Sequence, residues 1–224
     1  MQHRTVEDLM THGVVRVGRD TPFKQIAKLL ADNEVTAVPV VDDLGRPVGV
    51  VSEADLLHLV AGRPDPAGLL PDSPPPGREH AAADRATAED LMTAPAVCAR
   101  PEWTVVEAAR LMDAHRVKRL PVVNESGTLV GIVSRADLLR IFLRRDDAIH
   151  QEITRDVLAR TLGLTEADVT AAVSDGRVAL KGTVRAKSLI PVIERLCSGV
   201  DGVVSVTTDI IYRSDDTTGH ADRT

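Results

Sequence analysis

The stretch Gly-Val-Val-Ser-Glu-Ala-Asp at residues 49–55 returns 82 residues later as Gly-Ile-Val-Ser-Arg-Ala-Asp at residues 131–137. Around these two stretches, residues 5–57 align with residues 87–139 at the same offset and without a gap. About 22 of the 53 aligned positions are identical, including the sequences Glu-Asp-Leu-Met-Thr and Pro-Val-Val. An internal repeat of this length indicates that one structural unit occurs twice.

Both copies carry the same predicted order of elements: strand, helix, strand, strand, helix, preceded by a short capped helix. Apolar residues at helical spacing follow Thr21-Pro22 in the first copy, and Thr104 with Glu107 predicts a capping box in the second. Two apolar runs joined by a glycine-containing turn predict two buried strands. Each copy is predicted to begin with a short helix, at 6–10 capped by Thr5 and at 88–92 capped by Thr87, and a strand follows at 14–17 and at 96–99. Two further strands are predicted at 37–41 and 47–51 of the first copy and at the corresponding positions of the second. The last helices are predicted to start at Ser52 and Ser134.

Differences in composition along the chain predict the boundaries of its domains and linkers. The segment between the copies is rich in proline and lacks periodicity, which is typical of an extended or disordered connector. After residue 145 a new pattern begins. The predicted boundaries are a first repeat at 1–60, a proline-rich linker at 61–86, a second repeat at 87–145, a further domain at 146–213 and a polar tail at 214–224.

The repeat resembles the CBS domain, named after cystathionine β-synthase, and two copies in tandem resemble a Bateman module. The resemblance covers the first 140 or so residues and depends on the stretches 49–55 and 131–137 together with the two Pro-Val-Val strands. It implies an α+β fold in which the two repeats pack as a pseudo-twofold pair. It also implies binding of AMP, ADP, ATP or a related adenosyl compound such as S-adenosylmethionine, with no other cofactor, and pairing of two chains into a homodimer.

The resemblance places candidate nucleotide-binding residues at the start of the last helix of each repeat. A serine hydroxyl and a carboxylate three residues apart share one edge of a first helical turn, where the carboxylate can accept both ribose hydroxyls. Basic residues before the second Pro-Val-Val strand are expected near the phosphates, and adenine is expected against the apolar strands. The candidate residues are Ser52, Asp55, Ser134, Asp137, Lys118, Arg119, Ala37, Pro39 and Pro121.

Two alternatives to nucleotide contacts remain open. The Ser/Asp pairs are also typical of helix caps that need no ligand. Lys118 and Arg119 are also typical of a solvated loop. The resemblance implies that ligands bind in two clefts between the paired repeats. If these two cations bind phosphate, only one of the clefts has a basic lining, because Thr36 and Ala37 occupy the corresponding positions of the first copy. One strong site and one weak or empty site are then expected.

The C-terminal region shows helical spacing from Ile149 to Leu158 and strand alternation before the turn Asp175-Gly176, followed by a return strand, a second helix and a last strand. The order helix, strand, strand, helix, strand, with the sequence at 175–184, resembles a BON domain over about 65 residues. That resemblance implies binding to a phospholipid surface or to a protein. The motif residues are glycines and valines that report fold rather than chemistry, so an interaction domain is favoured over a lipid binder.

Bulk composition excludes several classes of function. The formal net charge of -6 argues against nucleic acid as the main partner, and no apolar stretch is long enough to span a membrane. Cys98 and Cys197 are expected to be reduced core thiols, and no catalytic constellation or metal site is predicted. The sequence therefore predicts a cytoplasmic regulatory protein without enzymatic activity. The alternative is a scaffold or membrane-surface adaptor that acts through the BON-like domain, with a structural CBS pair.

Overall fold

The protein is described by a computed structural model that covers residues 4–61 and 85–217. The chain forms two compact units, one of residues 5–135 and one of the residues from 136 onward together with the N-terminal Arg4. The linker predicted at 61–86 and the tail predicted at 214–224 lie largely outside the described residues.

Helices and strands are interspersed along the described ranges. The helices are α1 Val6–Leu9, α2 Phe23–Asp32, α3 Glu53–Ala61, α4 Ala88–Leu91, α5 Val105–Ala114, α6 Arg135–Leu139, α7 Asp146–Glu152 and α8 Leu189–Ser198, with a 3₁₀ helix at Arg140–Leu143 and a π-helical stretch at Ile153–Thr161. The strands are β1 Val17–Gly18, β2 Ala37–Val41, β3 Pro47–Ser52, β4 Arg119–Val123, β5 Leu129–Ser134, β6 Val169–Ser174, β7 Arg177–Ala186 and β8 Ser205–Ser214. This mixture confirms the predicted α+β class.

Each repeat is built on an antiparallel pair of strands, β2 with β3 and β4 with β5. In the first repeat β1 adds a parallel strand, and in the second a single bridge from Ala99 to Val122 takes its place. The strands predicted at 14–17 and 96–99 are therefore shorter than expected. For the strand predicted at 96–99, one reason is that the N–H of Ala96 donates to the carbonyl of Val48 in the other repeat, at 3.1 Å, and that Pro95 has no N–H.

The two repeats exchange their first helices. The N–H groups of Val6 and Glu7 in α1 donate to carbonyl oxygens of the second repeat, at 2.8 and 2.9 Å, and Ala88 and Glu89 in α4 donate to the first repeat at the same two distances. The hydrophobic core around Ile26 and Val38 accordingly contains two buried residues of the second copy, Ala88 and Leu91, together with Ala86 immediately before it. Each repeat therefore completes its core with residues from the other, which gives the predicted pseudo-twofold pair.

The C-terminal unit has the predicted order helix, strand, strand, helix, strand. Strands β6 and β7 form an antiparallel hairpin around Asp175-Gly176, where both residues have a positive φ, and β7 pairs in parallel with β8. The core lies between this sheet and the helices, and it is formed by buried aliphatic residues such as Ile153, Leu180 and Ile193. The sheet order is β6-β7-β8, so β8 is an outer strand.

Candidate functional site

Ser52 and Asp55 connect the end of β3 to the first turn of α3. Ser52 is the last residue of β3 and lies opposite Ala37 on β2. Its backbone N–H and its Oγ both donate to Oδ2 of Asp55, at 2.8 and 2.6 Å. Oδ1 of Asp55 accepts no hydrogen bond from any of the described residues. One carboxylate oxygen thus caps the helix, and the second is left for another donor.

The same cap occurs at the start of α4. The N–H and hydroxyl of Thr87 donate to Oδ2 of Asp90, at 2.9 and 2.8 Å, and these hydrogen bonds hold the pKa of Asp90 below its ordinary value. Asp90 is exposed and is not among the residues that line the cleft described below. The cap geometry alone therefore does not mark a binding site.

The basic loop that connects α5 to β4 supplies the opposite side of the site. Arg116 adopts a left-handed backbone conformation with φ 54°, and the carbonyl of Lys118 accepts a hydrogen bond from the N–H of Arg135, at 3.1 Å. The guanidinium of Arg119 donates to the hydroxyl of Thr36. Because Thr36 belongs to the first repeat, this bond fixes the loop of the second repeat beside β2.

These elements enclose a cleft of about 410 Å³ between the two repeats. Its volume lies within the range of roughly 300–1,000 Å³ that is typical of small-molecule sites. Thr93 enters the cleft because its backbone pairs with Val50 of β3, through hydrogen bonds of 2.9 and 3.1 Å. The lining residues are Thr36, Ala37, Val50, Ser52, Glu53, Ala54, Asp55, Thr93, Pro95, Ala96, Val97, His115, Arg116, Val117, Lys118 and Arg119.

The two repeats contribute side chains of opposite charge to the cleft. The first repeat contributes two acidic side chains, Glu53 and Asp55, and the second contributes three basic ones, Arg116, Lys118 and Arg119. Apolar residues from both repeats lie among them. This arrangement can hold a ligand that has an apolar body, hydroxyl donors at one end and negative charge at the other.

The sequence model of the CBS domain matches residues 6–62 and 88–144, which are the two repeats. The chain belongs to the CBS-domain family. The model of the BON domain matches residues 146–214, so the CBS pair is followed by a BON domain as predicted.

Two curated relatives each match 62% of this chain. A protein of Methanocaldococcus jannaschii, MJ1426, is 29% identical over 62% of this chain and 90% of its own length. The chloroplastic CBS domain-containing protein CBSX2 of Arabidopsis thaliana is 33% identical over 62% of this chain and 64% of its own length. The chain thus spans less than two thirds of CBSX2.

Solved structures share the fold of the CBS pair. The crystal structure of CBSX2 in complex with AMP is 32% identical, covers 62% of this chain and 96% of its own, and has a TM-score of 0.50. The CBS pair of MJ0100, in complex with 5′-methylthioadenosine and S-adenosyl-L-methionine, is 22% identical with a TM-score of 0.51, and it covers 63% of this chain and 97% of its own. These likenesses confirm the predicted fold of the pair.

The cleft brings together five of the nine candidate residues: Ser52, Asp55, Ala37, Lys118 and Arg119. Pro39 and Pro121 are buried inside β2 and β4 and do not line it. Ser134 ends β5 at the position that corresponds to Ser52, and Asp137 in α6 lies 3.4 Å from Arg140. Neither Ser134 nor Asp137 lines this cleft.

Sequence reasoning did not assign several residues of the cleft, chiefly Thr36 and the segment Thr93–Val97. Thr93–Val97 belongs to the second copy, yet it lies beside Ser52 and Asp55 of the first because the repeats exchange their first helices. The pattern of one sequence holds no signal for this, since it shows that two units are equal but not which segments they exchange.

Other kinds of site find little support. Within the residues that the structure describes, no group of three His, Cys, Asp or Glu side chains could hold a metal ion. No described helix is both long and apolar enough to cross a membrane. Cys98 and Cys197 are free thiols, and burial raises the pKa of both, that of Cys197 to about 11. A raised pKa disfavours the reactive thiolate.

Proposed function

We propose that this chain is a non-catalytic regulator whose CBS pair binds an adenine nucleotide or a related adenosyl compound and signals to a partner. The observation that carries the proposal is the cleft itself. It places the carboxylate of Asp55 and the cations of Lys118 and Arg119 in one cavity of about 410 Å³, although these residues come from different repeats. A nucleotide matches this distribution of charge, because its ribose hydroxyls can donate hydrogen bonds to the carboxylate and its phosphates can bind the cations.

The ribose is assigned to Asp55. Because Ser52 holds Oδ2, the carboxylate is fixed in place, and Oδ1 can accept hydrogen bonds from the ribose hydroxyls. The cap and the ligand contact are thus compatible functions of one side chain. Adenine is assigned to the apolar part of the lining near Ala37 and Val97.

The phosphates are assigned to Lys118 and Arg119. Arginine can bind phosphate through paired N–H donors, whereas lysine acts as a point charge. The structure of CBSX2 with AMP supports the ligand class, because CBSX2 is 32% identical to this chain across the CBS pair.

The test is a calorimetric titration of AMP, ADP, ATP and S-adenosylmethionine into the full-length protein and its Asp55→Ala, Asp137→Ala and Asp90→Ala variants. Asp90→Ala is the matched control, because Asp90 makes the same cap outside the cleft. We expect saturable binding of a nucleotide that Asp55→Ala weakens and Asp90→Ala leaves unchanged. No binding by the wild-type protein, or equal loss in both cap variants, would contradict the proposal.

We assign a homodimer to the CBS pair by its family resemblance. Leu57 and Val60 on α3 are 65% and 45% exposed, and their counterparts Leu139 and Phe142 are 61% and 46% exposed. Pairing of two chains through these helices would remove the four apolar side chains from water. Sedimentation velocity of the Leu57→Glu variant tests the assignment, since the dimer should dissociate at concentrations at which the wild type remains paired.

A second candidate function, as a membrane-surface adaptor, rests on the open face of the BON sheet. Arg177, Lys181 and Arg185 follow one another at every fourth residue of β7, and all three are exposed. A flat face with a row of cations can approach an anionic phospholipid surface. Co-sedimentation with phosphatidylglycerol vesicles, lost in a Lys181→Glu/Arg185→Glu variant and absent with phosphatidylcholine, would favour this function.

A further inference from the structure

The outer strand β8 of the BON domain presents a long free edge. It comprises ten residues, Ser205–Ser214, and β7 is its only partner strand within the described residues. Backbone groups on a free edge lack partners, so an exposed edge of this length is a site at which another strand can pair.

The direction of the backbone groups identifies the residues that face this edge. The hydroxyl of Thr170 on β6 donates to the carbonyl of Lys181 and the N–H of Thr183 donates to the carbonyl of Asp168, at 3.2 and 2.8 Å, so the odd-numbered residues of β7 point to β6 and the even-numbered ones to β8. In each register pair of two parallel strands, one residue points its backbone groups to the other strand and its partner points them away. Because the even-numbered residues of β7 pair with the even-numbered residues of β8, the backbone groups of β8 that point outward are those of Val206, Thr208, Ile210 and Tyr212.

Exposed apolar side chains in this domain are concentrated on the same strand. From residue 146 to residue 217, the large apolar residues that are exposed are Val204, Ile211 and Tyr212. Two of them lie in β8 and the third immediately precedes it. Ile211 is 64% exposed and lies between Ile210 and Tyr212, whose backbone groups point outward.

The charges on either side of Ile211 are self-complementary. Asp209 precedes it by two residues and Arg213 follows it by two, so all three side chains lie on the same face. The nearest cation to Asp209 among its ion pairs is Lys181, at the limiting distance of 4.0 Å, and both side chains are more than 70% exposed. In an antiparallel pair centred on Ile211, Asp209 of each copy faces Arg213 of the other.

We propose that β8 pairs with β8 of a second copy of this chain, antiparallel and centred on Ile211. The two sheets then continue into one another across a two-fold axis, and the interface is isologous. Moving the centre to Ile210 places Asp209 opposite Ile211, and moving it to Tyr212 places Asp209 opposite Asp215. The charges therefore select one register.

This pairing does not depend on nucleotide binding or on contacts of the CBS pair. A two-stranded contact of this length buries less than the roughly 1,200–2,000 Å² of a stable interface, so the association should be weak and dependent on concentration. The competing explanation is that Asp209 and Arg213 protect the edge from pairing. Covalent trapping distinguishes the two.

The first experiment introduces Ile211→Cys into the full chain and measures disulfide-linked dimer under mild oxidation. In the proposed register the two Ile211 residues form a non-hydrogen-bonded pair, flanked by hydrogen-bonded pairs of Ile210 with Tyr212, and their Cα atoms lie about 4.5 Å apart, within the range of roughly 4.4–6.8 Å that a disulfide spans. Ser205→Cys on the same strand is the matched control, because its two copies would lie about 40 Å apart. The wild type gives the background from Cys98 and Cys197.

The second experiment exchanges the charges in the Ile211→Cys background, with folding checked by circular dichroism. Asp209→Arg and Arg213→Asp each place like charges opposite one another, so the trapped fraction should fall roughly tenfold. The double variant restores opposite charges and should restore trapping. If Ile211→Cys traps no more dimer than Ser205→Cys, or if the double variant stays as low as the single ones, the proposal is wrong and the charges protect the edge.

Discussion

Gly49 of the first repeat lies directly against Met92 of the second, so that a Cβ built on Gly49 would lie 2.9 Å from Cβ of Met92. The symmetric contact joins Gly131 to Met10, whose Cγ would lie 2.9 Å from an added Cβ. The two glycines permit the exchanged helices α1 and α4 to approach β5 and β3. They therefore determine how closely the two halves of the nucleotide cleft can come together.

Adding a methyl group at this contact should loosen the pair. We expect Gly49→Ala to lower the free energy of unfolding by about 1–3 kcal/mol, because Met92 has to move away from β3. Urea denaturation measures this. The matched control is Gly18→Ala, whose added Cβ would meet only the side chains of Asp20 and Thr21. The double variant Gly49→Ala/Met92→Ala should lose less stability than the two single losses combined, and simple additivity would contradict the contact.

The phosphate assignment makes a separate prediction about affinity. Lys118→Ala should weaken ADP binding about tenfold while adenosine binding changes little, because only the nucleotide carries the charge that Lys118 would meet. The same cations should favour ADP over the positively charged S-adenosylmethionine. Isothermal titration compares the ligands, with Arg110→Ala on the exposed face of α5 as control.

The same assignment predicts how many nucleotides each chain binds, because the second Ser/Asp pair has no equivalent basic residues. The residues at 36 and 37 that correspond to Lys118 and Arg119 are a threonine and an alanine, so the two copies cannot bind phosphate alike. We expect one strong nucleotide site for each chain. Two sites of equal affinity in the same titration would show that Lys118 and Arg119 do not determine phosphate binding.

Asp146 gives a prediction for the BON domain. Its two carboxylate oxygens accept the N–H groups of Asp175 and Gly176, at 2.8 and 2.9 Å, and so hold the β6–β7 turn against the start of α7. Asp146→Ala should lower stability by about 1–3 kcal/mol, because hydrogen bonds to a charged group are lost. The adjacent Asp147→Ala is the control, since the donors to Asp147 among the described residues are its neighbours Arg145 and Ala148. Equal melting temperatures of the two variants would contradict this role.

The order of elements in both domains could be predicted because it depends on local patterns. The helix from Phe23 to Leu30 and the alternation before Asp175-Gly176 each repeat with the period of one element. The helix exchange could not be predicted in this way. Both copies carry the same Glu-Asp-Leu-Met-Thr sequence, so either pairing satisfies the apolar pattern, and only packing distinguishes them.

The candidate site was predictable in part for the same reason. Ser52 and Asp55 belong to a repeated motif, and the basic residues stand out because the first copy lacks them. Thr93–Val97 joins the cleft only through the exchange and carries no chemical signature. The π-helical stretch after α7 also escapes pattern reasoning. It is accompanied by hydrogen bonds from the hydroxyls of Thr154 and Thr161 to backbone carbonyls, which apolar spacing does not reveal.

The end of β8 should make part of the stability of the BON domain dependent on pH. The ammonium of Lys187 lies 2.8 Å from Asp215, and this hydrogen bond, with one from Thr217, lowers the pKa of Asp215 to about 2. A depressed folded-state pKa stabilises the fold above the ordinary value of 3.8, and that contribution is lost as the pH falls toward 2. Melting temperatures of the wild type and Asp215→Asn should therefore differ above about pH 5 and converge near pH 2. Lys187→Gln should remove most of the same pH dependence, and salt should weaken it, because both side chains are partly exposed. A constant difference between wild type and Asp215→Asn across this range would show that the carboxylate gains nothing from Lys187.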